Sequence, residues 1–202
     1  MKSQSRTRFL VTVAMLAAVS YILAFFEISL PLFPSFLKID ISDIPALIAA
    51  FALGPFAGIA VEFLKNAFQL MGTSTGGIGE LANFIMGAAL VGTAGVVYTK
   101  NHTKKGAVLG CLAGAVAMAL AGGVLNYFVL LPLYEKFMPL SAILAAAQVF
   151  VPFISSKLML VIWTIIPFNI LKGLIVFGVT MFIYKPLSPI LKGEHIERHS
   201  HN

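Results

Sequence analysis

The sequence predicts an all-α integral membrane protein of six transmembrane helices, with a long outer first loop and an outer lid-like segment between helices 5 and 6. Three observations carry that prediction. Of 202 residues, 59% are hydrophobic and only 11% are Asp, Glu, Lys or Arg, against about a quarter charged in a soluble domain. The mean hydropathy of +0.94 makes lipid the natural solvent. The basic residues sit at the ends of apolar runs, where membrane topology wants them.

A span needs roughly 20 apolar residues, so the chain holds about six spans and short loops as a single membrane domain over 1–202. Helix 1 is expected at about 8–28, retained rather than cleaved, because no small-residue cleavage site follows the run from Phe9 to Phe26. Pro31 and Pro34 then stand in a loop at 29–42, long for so small a membrane protein, and long ordered loops are often functional. Gly54-Pro55 separates helix 2 (43–53) from helix 3 (55–71). Helix 2 is short for hydrocarbon, a pattern tolerated where protein or a cavity surrounds it and expected near a transporter site.

After a Gly/Thr/Ser loop from Gly72 to Gly77, helix 4 is expected at 78–99 and helix 5 at 106–133, divided by the basic turn Lys100 to Lys105. The segment 138–158 reads as a lid at the interface or as a further span, since Pro139 and Pro152 interrupt it. Helix 6 is expected at 159–184, followed by a polar tail at 185–202. Six spans put Lys2, Arg6, Arg8, Lys100, Lys104, Lys105, Lys185, Lys192 and Arg198 inside and only Lys38, Lys136 and Lys157 outside. That asymmetry favours six spans with both termini cytoplasmic.

Several function classes fit poorly. The net charge of +6 is not arranged as a basic stripe with interleaved aromatics, which argues against nucleic acid. No G-x-x-x-x-G-K-[ST] or H-E-x-x-H is present. His102, His195, His199 and His201 lie outside the spans, so no metal site is expected. Cys111, the one cysteine, sits in an apolar run and reads as a packed small hydrophobe.

Polar side chains within spans are expensive and ask for a reason. Helix 3 carries Glu62, Lys65, Asn66 and Gln69 on one face. They either pair internally or line a cavity. Helix 4 opens with Glu80 and Asn83, helix 5 holds Asn126 and Tyr127, and helix 6 holds Asn169 and Lys172. At about 1.5 Å per residue, Gln69, Glu80 and Asn83 lie within roughly 10 Å of the outer boundary. On the same measure Asn66, Lys65, Asn126 and Asn169 lie roughly 8–15 Å deep, and Lys172 about 20 Å. The inner helix halves are almost purely apolar, so the polar set describes a cup open to the outside rather than a pore. Phe33, Phe36 and Leu37 are placed to cover it, with Lys38, Asp40 and Asp43 at its rim. Amides offer paired donors and acceptors, and with Phe, Leu and one cation they suit a flat heterocycle such as a flavin or a pterin.

Four passages resemble the substrate-binding S components of energy-coupling factor (ECF) vitamin importers, and most closely their riboflavin-specific branch: F-L-K-I-D-I-S-D-I-P (Phe36–Pro45), L-G-P-F-A-G (Leu53–Gly58), V-E-F-L-K-N (Val61–Asn66) and P-F-N-I-L-K-G (Pro167–Gly173). The first and last are the most specific, and the likeness spans nearly the whole chain. It implies six helices in a prokaryotic plasma membrane and high-affinity capture of riboflavin, with FMN a further candidate. Riboflavin would be a transported ligand rather than a cofactor. The implied partners are a transmembrane coupling subunit and two ATPases, with toppling of the loaded cup in the bilayer. It further implies that Asn126, Asn169 and Lys172 meet the isoalloxazine edge and that the first loop closes over it. Phe36, Leu37, Lys38, Asp40, Lys65 and Asn83 complete the expected site. Helix 1 would dock the coupling subunit through Ala14 and Ala18, whose A-x-x-x-A spacing permits close approach. The alternatives are an S component for another vitamin, a proton-coupled carrier, or a small membrane enzyme.

Overall fold

The computed structural model describes residues 2–34, 37–73, 76–136 and 138–192, with side chains from 6 to 183 within those ranges. Phe36, Arg198, His195, His199 and His201 lie outside the described residues, as do the side chains of Lys2, Lys185 and Lys192.

Helix α1 (Lys2–Leu23) begins inside the basic N-terminal segment and ends five residues before the expected boundary at 28. The reason is a short antiparallel ribbon, β1 (Ile28–Ser29) against β2 (Lys38–Ile39), with Ile28 opposite Ile39 and Ser29 opposite Lys38. Extended pairing takes over from the helix, and the Pro31–Pro34 turn closes the ribbon. Among the described side chains of α1, the buried ones form one stripe, Val13, Ala17 and Ser20. Leu10, Val11, Met15, Val19 and Ile22 face outward, as suits a helix whose outer solvent is lipid.

Helix α2 (Asp43–Leu53) is buried from Asp43 to Phe51 and packs on α1, α3 (Pro55–Gln69), α4 (Ile78–Lys100) and α9 (Ile166–Lys192). It is the centre of the fold. Gly54, at φ +103°, turns the chain sharply between α2 and α3, and Pro55 opens α3 with its pre-set φ. A single 3₁₀ turn, Leu70–Gly72, extends α3.

Helix α5 starts at Lys104, where the Thr103 hydroxyl accepts from the Gly106 N–H. It runs as α5 (Lys104–Leu125), widens into a π turn (Asn126–Leu130) and closes as α6 (Leu131–Tyr134). A Cβ on Gly110 would stand 2.7 Å from the Ala94 carbonyl oxygen, and one on Gly114 would stand 2.6 Å from that of Leu90. The glycine-rich start of α5 therefore lets its backbone lie directly on α4. Helix α7 (Leu140–Gln148) has nine residues, about 14 Å of rise, well short of a span. Helix α8 (Lys157–Leu160), capped by the Ser156 hydroxyl, continues through a second π turn (Val161–Ile165) into α9.

Among the described residues, four helices are long and apolar enough to cross a membrane: Arg6–Leu23, Ile78–Lys100, Lys104–Tyr134 and Lys157–Ile183. Helices α2 and α3 are shorter, so a count of six depends on how this central pair sits.

Candidate functional site

A cavity of about 360 Å³ opens between the first loop, the C-terminal end of α3, the N-terminal end of α4, and the two π-containing helices. Asn83, Asn126, Asn169 and Lys172 line it together with Leu37, Lys38 and Asp40 of the loop. Its rim is wet and its floor dry. The Lys38 and Glu27 side chains, ion-paired at 2.6 Å, are 51% and 44% exposed, whereas Asn169 and Lys172 are 3% and 4% exposed.

The amides are oriented by their own helices. Asn126 opens the first π turn, and its Nδ2 donates to the Gly122 carbonyl at 2.8 Å. Asn169 follows the second π turn, and its Nδ2 donates to the Ile165 carbonyl at 2.9 Å. One N–H of each amide is thereby committed to backbone, which fixes the amide plane and presents its oxygen as an acceptor. The two π turns touch each other, and such widened turns recur where a helix must redirect a functional side chain. Apolar surface comes from Leu37, Met86, Leu130 and Phe168.

The first loop is fastened over this floor at two points. Phe33 packs edge-on against Phe168, with ring centroids 5.2 Å apart. Asp40 Oδ2 accepts from Lys172 Nζ at 2.9 Å, joining residues 132 apart in sequence. The other Asp40 oxygen, Oδ1, accepts from the Ser42 N–H at 2.9 Å and from the Ser42 hydroxyl. Burial alone would raise the Asp40 pKa; the Lys172 and Lys65 ammoniums outweigh it and hold the carboxyl well below the usual range.

Behind the cavity wall lies a chain of buried charge. Lys65 Nζ is 2.6 Å from Asp43 Oδ1 and 2.7 Å from Glu62 Oε2, with all three side chains at 0% exposure. Ser42 Oγ also accepts from Lys65, at 3.1 Å. Asp43 Oδ2 makes no hydrogen bond but stands 3.3 Å from Lys172 Nζ. Asn66 continues the chain, donating to the Glu62 carbonyl at 2.8 Å and accepting from Asn83 at 3.2 Å. The polar face of α3 thus links the Lys172 and Asn83 positions from behind.

Two placements differ from the sequence reading. Lys65 does not line the cavity, because its ammonium is spent on Asp43, Glu62 and Ser42. Asp43 is not at the rim but fully buried, as the first residue of the central helix. Of the α3 face, Gln69 reaches the cavity. Met86 and Phe168 were not singled out beforehand. Met86 lies one turn along α4 from Asn83, and Phe168 directly precedes Asn169, so both were signalled by position. Ala14 and Ala18 are exposed on the outer face of α1.

Comparison with known proteins bears on what this cavity serves. The chain is 34% identical to the riboflavin transporter RibU of Staphylococcus aureus over 183 residues, covering 91% of this chain and 92% of that one. It is 35% identical to the riboflavin transporter FmnP of Bacillus subtilis, covering 89% and 92%. A solved S component of a bacterial ECF transporter superposes with a TM-score of 0.73 at 33% identity, covering 93% of this chain and 99% of that one. These relatives are transporters, not enzymes. Residues 8–184 match the family described as the substrate-specific component of ECF transporters, and the chain belongs to that family.

Proposed function

We propose that this chain captures riboflavin in the cavity between the first loop and helices α5 and α9, and delivers it across a bacterial membrane through an ATP-driven coupling module. The observation that carries the reading is the convergence of Asn126, Asn169 and Lys172 with Leu37, Lys38 and Asp40 on one cavity. A concave site whose aimed polar groups stand among apolar surface is the usual form for a small molecule, and here charged and amide side chains supply about half of the lining. Here the amides offer acceptors, the ammonium offers donors, and Phe168 and Leu37 offer flat apolar surface. That set suits a neutral ring system with carbonyl and N–H groups along one edge.

The topology goes with this reading. Helices α2 and α3 cross together with the four longer helices, making six spans, with α7 as a short outer lid. Both termini and the basic turn Lys100–Lys105 then face the cytoplasm, and the cavity faces outward. Docking to the coupling subunit uses the exposed small-residue face of α1 at Ala14 and Ala18.

The test is an absorbance spectrum of the chain purified in detergent without added ligand, followed by a riboflavin fluorescence titration with FMN as competitor. Flavin bands in the preparation, or stoichiometric quenching of added riboflavin, are expected. Asn169→Ala and Lys172→Ala each weaken binding by about tenfold or more, since an unmet buried hydrogen bond costs about 1–3 kcal/mol. A colourless preparation that fails to quench riboflavin removes this cargo, and wild-type affinity in both variants removes those residues from the site.

A further inference from the structure

We propose that Asp43 is a positioning residue for the substrate cavity: from behind the wall it fixes the Lys172 ammonium that faces the ligand. The inference rests on the cavity being the riboflavin site. Asp43 is fully buried and is not among the lining residues, whereas Lys172 is. Its two carboxylate oxygens are divided between the two buried lysines, Oδ1 at 2.6 Å from Lys65 and Oδ2 at 3.3 Å from Lys172.

The two carboxylates on Lys172 differ in what holds them. Asp40 sits on the loop just after β2, with its side chain 13% exposed, and itself lines the cavity. Asp43 opens α2, the most buried helix, which packs against the α9 backbone that carries Lys172. A carboxylate in the first helical turn is favoured by the unsatisfied N–H groups there. The preceding residue is pinned as well: the Ser42 carbonyl accepts from the Ser20 hydroxyl of α1, and Ser42 Oγ accepts from Lys65. Lysine is a point charge on a flexible four-carbon stem. With Asp40 alone, its ammonium would follow the loop. Asp43 ties it to the core, and Lys65 offsets the charge on the other Asp43 oxygen so that one carboxylate serves both. Flanked by two carboxylates, Lys172 then acts on the ligand as an aimed hydrogen-bond donor rather than as an uncompensated cation.

The experiment is a riboflavin titration of the full chain in detergent for wild type, Asp43→Asn, Lys172→Gln and the double variant, with monodispersity checked by size exclusion. Asp43→Asn is expected to weaken binding by about tenfold, and to add less than about twofold on top of Lys172→Gln, because it acts through that ammonium. An Asp43→Asn chain that binds within about twofold of wild type overturns the proposal. So does a double variant in which the two factors multiply, which would mark a general structural role. Should Asp43→Asn not yield folded protein, Asp43→Asn with Lys65→Met and Glu62→Gln removes the buried ion cluster together. The same loss is expected there, and wild-type affinity overturns the proposal. A wild-type chain that does not quench riboflavin overturns the cargo assignment beneath it, an outcome distinct from a binding wild type whose Asp43 variants are unchanged.

Discussion

The Asn169 amide occupies the space that a side chain on Gly122 would take. A Cβ on Gly122 would stand 3.0 Å from Asn169 Nδ2 and 2.8 Å from Met86 Sδ, while the Gly122 carbonyl accepts from Asn126. One glycine therefore sets three cavity residues, Met86 and Asn169 on two neighbouring helices and Asn126 on its own. Gly122→Ala asks the Asn169 amide and the Met86 thioether to give way by a few tenths of an ångström, and Gly122→Val asks for more. Overpacking of this kind costs about 1–3 kcal/mol. Riboflavin affinity is expected to fall severalfold in the Ala variant and about tenfold or more in the Val variant. Gly178→Ala, where a Cβ meets nothing within 4 Å, serves as the control and keeps wild-type binding. Unchanged affinity in Gly122→Val would mean that Asn169 and Met86 tolerate displacement.

The pair Lys65–Asp43 makes a prediction about stability. Lys65 is fully buried between Asp43 and Glu62, so Lys65→Met leaves Glu62 without its ion-pair partner and Asp43 with Lys172 alone. Breaking one side of a buried ion pair costs about 3–5 kcal/mol. A marked drop in the thermal unfolding temperature in detergent is expected. Adding Glu62→Gln to the same chain recovers part of it, because one orphaned charge is gone. A Lys65→Met chain as stable as wild type would show that the cluster tolerates the loss by taking up water or protons.

Much of the cavity was legible because polar residues in apolar runs are few and helical spacing shows which of them share a face. Asn126, Asn169 and Lys172 stand out on that ground, and the P-F-N-I-L-K-G motif carries the last two. What the sequence could not show is how the charges pair. Lys65 has Glu62 one turn away, and that local pair was readable, but Asp43 lies 22 residues off and Asp40 reaches Lys172 across 132. Such pairings exist only once α2, α3 and α9 pack. Hydropathy also reports spans rather than helices. The basic start of α1 is helical yet not apolar, and the Ile28–Ser29 ribbon that ends its path is too short to leave a periodic signal. The π turns at Asn126–Leu130 and Val161–Ile165 have no sequence signature at all, although they place the amides.

The Asp40–Lys172 contact fastens the loop through a charge, which ties loop closure to acidity. Asp40 lies outside the spanning helices. Burial raises its pKa, but the Lys172 and Lys65 ammoniums and the hydrogen bond from Ser42 lower it further, leaving it well below the ordinary value. A carboxylate depressed by folding contributes stability above its unfolded pKa, about 3.9, and loses it as the pH falls through the folded value. The wild type is therefore expected to unfold at a higher temperature than Asp40→Asn near neutrality. The gap should hold down to a pH of about 5 and shrink progressively below about 4. Thermal scans of both chains at matched pH in detergent give the difference directly. A gap that is unchanged well below pH 4 would mean that the ammonium does not hold this carboxylate ionised.

On the proposed docking through Ala14 and Ala18, the exposed face of α1 serves delivery and not capture. Val13 and Ala17 turn into the core at 5% and 1% exposure, while Ala14 and Ala18 face outward beside Met15 and Val19. A large side chain at Ala14 thus meets nothing in the fold itself, and none of the cavity residues lies on that face. Where two helices dock through small residues, a bulky one holds their backbones apart. Ala14→Trp is expected to leave riboflavin binding and thermal stability at wild-type values and to abolish uptake in cells that carry the coupling module. Purification of the assembled complex should recover little of the variant chain. If uptake and assembly survive with a tryptophan at position 14, the coupling subunit docks elsewhere, and the search moves to the remaining exposed helix faces.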